Sequence, residues 1–531
     1  MKQTLPLACA LLALFSPVFA VADEAPKSPS NKSADASDEV FKAEEVVTGG
    51  SVGGIEYQAT SGTLIVHPRG WDDVKDKENK DNPTAVASMF YVAYTKKGAA
   101  PNTRPVTFFY NGGPGSSSVW LHMGSFGPKR VITLDDSHTP AAPYKIVDND
   151  STLLDVTDLV FIDAPGTGFS RVAGKDAGSA FYGVDQDAYA FAQFIQQYLS
   201  KNGRWNSPKF LFGESYGTPR SAVLANLLQT EAFGIDCNGV ILLSQVLNFD
   251  LLPDLSEFNP SVDTPYILTL PTFAASAWYH HKLPGERPTD LNTFLKEVEH
   301  FATNDYALAL VAGASLPAAQ RNAIAEKMHR YTGLPTSYIL KANLRVTGGE
   351  FEKNLQDDAN LTTGRLDARF SGPTIDPLSK EADYDPQSAA ISSAYISAFN
   401  EYVRKTLNYG LDRQFKPIVD LFTRWEFKHR LPNTPFSLGG LANVLPDLAL
   451  AMKTNPNLKV LVLGGYFDVA TPYFQGIYEM QHLPIPDSLQ ANISYHYYPS
   501  GHMVYANEGA LKQSRDDVAA FIKANDNLHG K

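Results

Sequence analysis

Short, uninterrupted apolar runs that end in glycine-rich turns recur through the first half of the chain and again near its end. Residues 106–110, 158–163, 210–212, 240–244, 459–463 and 493–498 are runs of this kind. Their length and lack of alternation predict strands buried on both faces, as in a parallel sheet. Ahead of them, 53–59, 62–66 and 89–94 alternate more and predict antiparallel strands. Between strands, Ala188, Phe191, Phe194, Ile195 and Tyr198 recur at helical spacing, with Asp185 as an expected cap. Pro219 suits the first turn of another helix, where a missing N–H costs nothing.

From about 250 the alternation of strands and helices stops, and helical segments dominate at 291–302, 317–331 and 388–407. It resumes before 459 and closes with an amphipathic helix over 508–524. The pattern predicts a mainly parallel α/β sheet with helices on both faces, split into 46–250 and 437–531 by a mostly helical cap insertion over 251–436. Within the insertion, Arg365, Asp367 and Arg369 alternate as on a strand, which reads as an ion-pair ladder or a substrate clamp. The charged stretch 72–81 reads as a solvated loop.

Composition narrows this picture. The chain has 531 residues, 44% hydrophobic and 19% charged, so it is globular and larger than one growing core. The net charge is −12 and no Lys/Arg run occurs, which disfavours nucleic acid or an anionic membrane as partner. Residues 1–22 read as an export signal, with Lys2, an apolar stretch and Ala20-Val21-Ala22 before Asp23. Residues 23–45 read as a flexible leader. Removal of the signal takes Cys9 and leaves Cys237 as a lone thiol, expected to be buried and inert. No metal-ligand spacing is present, and His280-His281 reads as a surface pair.

The chemistry centres on Phe210-Leu211-Phe212-Gly213-Glu214-Ser215-Tyr216-Gly217. A buried strand that turns at once into a helix lifts Ser215 into an exposed, strained position, and glycine on either side lets backbone pass close. This is the Gly-x-Ser-x-Gly nucleophile elbow. Upstream, the strand at 106–110 runs into Asn111-Gly112-Gly113-Pro114-Gly115, suited to donate a second N–H to an oxyanion. Asp468 and His502 each follow a later strand of the parallel set, so their loops converge on the edge that carries Ser215. The order Ser, Asp, His is that of the α/β-hydrolase fold. The expected roles are Ser215 as nucleophile, His502 as base, Asp468 as its partner, and the N–H groups of Gly113 and Tyr216 as oxyanion donors.

These motifs together resemble the serine carboxypeptidase family. The matching residues are Asn111 to Gly115 with Ser117-Ser118, Gly213-Glu214-Ser215-Tyr216, Gly465 to Asp468, and Gly501-His502-Met503-Val504. The resemblance implies an α/β-hydrolase core, a helical cap, no cofactor, and peptide substrates that lose their C-terminal residues. It also implies that Asn111 and Glu214, with the Gly112 backbone and Met503, contact the substrate and its terminal carboxylate. Ser116 stands where the family has a cysteine, Phe109 where it has a tryptophan, and 121–126 lacks a second glutamate of the carboxylate network. The same triad would serve an esterase or acyltransferase, and the scaffold alone could serve a silent binding protein.

Overall fold

The computed structural model describes residues 40–528 apart from 79–80, 435 and 439. The expected signal and residues 23–39 of the expected leader lie outside the described residues.

Nine strands follow one another across the main sheet: β1 (Glu45–Val52), β2 (Ile55–Val66), β3 (Val86–Lys96), β4 (Val106–Tyr110), β5 (Asp158–Ile162), β6 (Lys209–Glu214), β7 (Gly239–Leu243), β8 (Lys459–Gly465) and β9 (Ile493–Tyr498). Their spatial order is β1-β2-β3-β5-β4-β6-β7-β8-β9, and Arg171–Ala173 pairs beside β3 as the tenth strand. The first three strands are antiparallel to their neighbours, and β5 through β9 run parallel. This is the α/β-hydrolase arrangement, with the reversal of strand order at β5 and β4.

The sequence-predicted strands of the parallel set are all present. The antiparallel start differs from expectation. Gly53 and Gly54 form a two-residue hairpin, both at positive φ (55° and 78°), and join β1 to a single long β2. The expected break near Ala59–Gly62 does not occur, because Gly62 lies in register opposite both Glu45 and Tyr91. The 72–81 stretch, expected to be a solvated loop, carries a short helix, Asp73–Lys77, exposed at residues 73–75.

Helices cover both faces. On one lie α1 (Val119–Gly124), α8 (Pro386–Lys405) and α11 (Glu508–Asn525), and on the other α2 (Val184–Lys201), α3 (Gly217–Leu228) and α9 (Leu445–Thr454). The intervening helices α4 (Thr264–Tyr279), α5 (Leu291–Phe301), α6 (Ala318–Thr332) and α7 (Gly348–Asn354) bury a third core of their own. That core also takes in Phe467, Val469 and Tyr473, just before and within α10 (Tyr473–Gln481). Segment 251–436 is thus shared: its first helices pack on one another, whereas α8 inserts Ile391, Tyr395, Phe399 and Tyr402 into the sheet core.

Asp185 is not the cap of α2. Gly183 holds that position, and both Asp185 oxygens accept hydrogen bonds, from His429 Nδ1 (2.7 Å) and the Arg430 N–H (3.1 Å). The opposite ring nitrogen of His429 contacts Asp447 (2.7 Å). Burial works against charging this ring, yet its two carboxylate partners raise its pKa to about 9. The imidazolium therefore ties the segment ahead of α9 to α2 and α9 across neutral pH.

Candidate active site

The elbow forms at the carboxyl end of β6 because glycines leave space there. A Cβ on Gly213 would lie 2.1 Å from the Gly217 carbonyl oxygen, and one on Gly217 would lie 2.8 Å from the Tyr110 oxygen. Ser215 between them sits at φ 59°, a left-handed conformation that costs a non-glycine residue about 1–3 kcal/mol and persists only where surroundings impose it. Its N–H donates to the Leu243 carbonyl (2.9 Å), which pins the turn to the end of β7.

The glycine-rich loop after β4 lies against this turn. A Cβ on Gly112 would fall 2.2 Å from the Tyr216 nitrogen, so glycine there keeps the Tyr216 N–H uncovered. Gly113 adopts φ 108°. The loop is braced from outside by residues 417–419: the Ser117 N–H donates to the Pro417 carbonyl (2.9 Å), and the Val419 N–H to the Gly115 carbonyl (2.8 Å). Trp425 Nε1 donates to the Tyr216 hydroxyl (2.7 Å).

Asp468 and His502 lie on the same sheet edge, after β8 and β9. They are in contact, His502 Nδ1 to Asp468 Oδ2 at 2.8 Å, and both are buried. Thr471 completes the carboxylate's shell, its N–H donating to Oδ1 (2.9 Å) and its hydroxyl to Oδ2 (2.6 Å). Burial disfavours the imidazolium, but the charges of Asp468 and Glu214 outweigh it and raise the His502 pKa.

Glu214, the residue before Ser215, is buried and accepts the Tyr505 hydroxyl at 2.8 Å. Burial pushes its pKa up to about 7 despite His502, Tyr505 and Asn111, each of which favours the carboxylate. The side-chain oxygen of Asn111 accepts the Leu121 N–H (3.0 Å), which fixes its amide at the start of α1. Met503 is buried in the sheet core beside α8 and α11. Among the described residues no group of three or more His, Cys, Asp or Glu is placed to hold a metal ion.

Arg365, Asp367 and Arg369 are not on a strand. They occupy the turn between the short strands Leu361–Thr363 and Ser371–Pro373, where Asp367 and Arg369 pair with each other and Arg365 turns to a different partner. Arg365 pairs with Asp254, and Arg369 with Asp367 (2.6 Å) and Asp135 (3.0 Å). The same turn bonds to the loops that carry Asp468 and His502. The His502 N–H donates to the Leu366 carbonyl (2.6 Å), the Val469 N–H to the Arg365 carbonyl (3.0 Å), and the Gly501 N–H to Asp367 Oδ2 (3.1 Å).

Sequence reasoning missed Thr471, Tyr505 and this turn. Asp468-x-x-Thr471 is readable as a side-chain turn. Tyr505 stands next to a recognised motif but carries no spacing signal.

Residues 79–233 match the family model described as serine carboxypeptidase. The chain is related to the serine carboxypeptidases. The match contains the glycine-rich loop and the elbow, while Asp468 and His502 lie beyond it. Serine carboxypeptidase S10 family member 1 of Dictyostelium discoideum is 31% identical over 138 residues, 25% of this chain and 30% of that protein. The pheromone-processing carboxypeptidase KEX1 of Saccharomyces cerevisiae is 27% identical over 169 residues, 30% of this chain and 20% of its own length. These matches thus span less than a third of the curated relatives. A proline iminopeptidase structure from Mycobacterium smegmatis superimposes with a TM-score of 0.35 at 14% identity, covering 83% of this chain and 96% of that one. In this serine carboxypeptidase relative, Tyr505 supplies a neutral hydroxyl to Glu214 while 121–126 offers no second carboxylate.

Proposed function

We propose that the chain is an exported serine carboxypeptidase that removes C-terminal residues from peptides through an acyl-serine intermediate. His502 Nε2 takes the proton of the Ser215 hydroxyl as Oγ attacks the scissile carbonyl, and then gives that proton to the leaving amine. Asp468 holds Nδ1 and stabilises the imidazolium. The N–H groups of Gly113 and Tyr216 receive the oxyanion, and water releases the acyl group by the reverse proton path.

The observation that carries the carboxypeptidase reading is Glu214: a buried carboxyl, one residue from Ser215, with its pKa held near 7. Protonated, it can donate to a peptide's terminal carboxylate without like-charge repulsion, with Asn111 as the adjacent amide. An ester or acyl-transfer substrate is the second reading. Tyr505 already occupies one Glu214 oxygen, which leaves less of the clamp for a terminal carboxylate.

The deciding measurement is kcat/KM for one peptide as free acid and as amide, with a matched ester, across acidic to mildly alkaline pH. Free acid should exceed amide by roughly 10–150-fold at acidic pH, the worth of a charge-assisted hydrogen bond. Glu214→Gln should abolish the pH dependence of that preference. Equal rates on acid and amide throughout would leave the ester or acyl-transfer reading.

A further inference from the structure

Beneath the elbow, away from the reacting groups, lies a buried ion pair that the mechanism does not use. Arg220, in α3, and Asp187, in α2, are 0% and 1% exposed, with Nε 2.5 Å from Oδ2. The guanidinium also donates from Nη1 to the Asn111 carbonyl at 2.8 Å. It lies over three rings, Phe191 (4.4 Å to the centroid), Tyr110 (5.4 Å) and Tyr216 (5.5 Å).

A buried pair of this kind is poor evidence for stability, since well-packed apolar side chains often serve as well or better. Two of its contacts are replaceable in that way: the mutual salt bridge and the ring stacking. The bond to Asn111 is not. That carbonyl belongs to the peptide unit whose nitrogen is Gly112, so fixing its direction fixes the entry to Gly112-Gly113. Elsewhere the loop is tied towards α1, through the Asn111 N–H to Ser118 Oγ (3.3 Å) and the Leu121 N–H to Asn111 Oδ1 (3.0 Å), and to residues 417–419 at its far end. Arg220 is the side chain of the elbow helix that hydrogen-bonds the loop backbone itself, next to the Tyr110 hydroxyl contact with Ser221 Oγ (2.7 Å) at the end of β4.

We infer that Arg220, held by Asp187, is the positioning residue of the oxyanion loop: its guanidinium sets the Gly112-Gly113 backbone against the Tyr216 N–H. The inference rests on the assignment of Gly113 and Tyr216 as oxyanion donors. It predicts that loss of Arg220 slows turnover of correctly folded enzyme while substrate binding is largely retained, because the oxyanion develops only in the transition state.

The test uses the full chain with Arg220→Met and Asp187→Leu combined, which removes both buried charges together. Kinetics on an activated ester and a blocked dipeptide are normalised to sites titrated with a fluorophosphonate. A merely structural defect lowers the titre and leaves kcat per site intact. The expected result is a Tm close to wild type, KM within about threefold, and kcat per site down roughly 10–100-fold, up to the loss of one oxyanion donor. Wild-type kcat per site in the folded double variant overturns the inference. Should that variant not fold, Arg220→Lys replaces it, with amide exchange over 110–117 read alongside kcat. Faster exchange with reduced kcat supports the inference, and unchanged values of both overturn it. Ser215→Ala serves as the parallel control: if it retains turnover the proposed mechanism itself has failed, whereas an inactive Ser215→Ala beside a fully active double variant removes only the role of Arg220.

Discussion

Ser215 is held by backbone that adjoins it in sequence or in the sheet, whereas the loops bearing Asp468 and His502 lean on a turn of the insertion, 134 positions from Gly501. On the side of the proposed nucleophile, glycines at 112, 213 and 217 allow contacts closer than any side chain permits. On the side of the proposed acid–base pair, Leu366, Arg365 and Asp367 supply the hydrogen bonds, and Arg369 balances the Asp367 carboxylate. The first side rests on close backbone approach at glycines with an outer brace from 417–425, the second on polar contacts to the turn at 364–370. The halves should therefore respond differently to substitution.

The largest effect tests whether they act as one device at all. Ser215→Ala and His502→Ala should each lower kcat by on the order of 10⁴–10⁶-fold, and the double variant should be scarcely slower than either. Losses that multiply in the double variant would separate the two groups.

Next comes the acid–base half alone. Asp367→Asn removes the charge that pairs with Arg369 and weakens the bond to the Gly501 N–H. A displaced His502 should cost kcat roughly 10–100-fold, as misplacement by about 1 Å does. Fluorophosphonate labelling should slow in parallel, and a variant that is folded with unchanged kcat would show that the turn is not needed for alignment.

Tyr505→Phe should have a smaller and directional effect. The hydroxyl favours ionised Glu214, so its removal should raise the Glu214 pKa further above about 7. In the proposed function free-acid peptides need Glu214 protonated, so their cleavage is present below that pKa and lost as pH rises through it. The alkaline limb for free-acid peptides should then shift to higher pH, with the ester profile unmoved. A shift to lower pH would contradict the hydrogen-bond assignment.

Cys237→Ser should do least. The thiol is buried and burial pushes its pKa up to about 12, so it is neither nucleophile nor thiolate. Turnover within about twofold of wild type, per titrated site, is expected.

The contrast between the halves also marks how far the sequence could be read. Apolar runs and glycine pairs report local backbone, so β4, β6 and the turn that carries Ser215 were legible, as was the placing of Asp468 and His502 after β8 and β9. The Gly53-Gly54 hairpin was misplaced by a few residues because Gly62, a usual breaker, lies within β2. Arg365, Asp367 and Arg369 do form ion pairs, but not on a strand, because two-residue alternation implies a strand only where one face is buried. Arg220 and Tyr505 gave no signal, since a residue's partner 109 or 291 positions away leaves no periodicity in one chain.

The turn at 364–370 bears on how the protein can be re-engineered. A segment of mostly helical residues between two strands invites exchange with the corresponding segment of a relative to alter selectivity. Here such a chimera would carry away the acceptors for the His502, Val469 and Gly501 N–H groups. A workable graft would keep 364–370, together with Asp254 and Asp385, which anchor Arg365. It would exchange only the helices outside that frame.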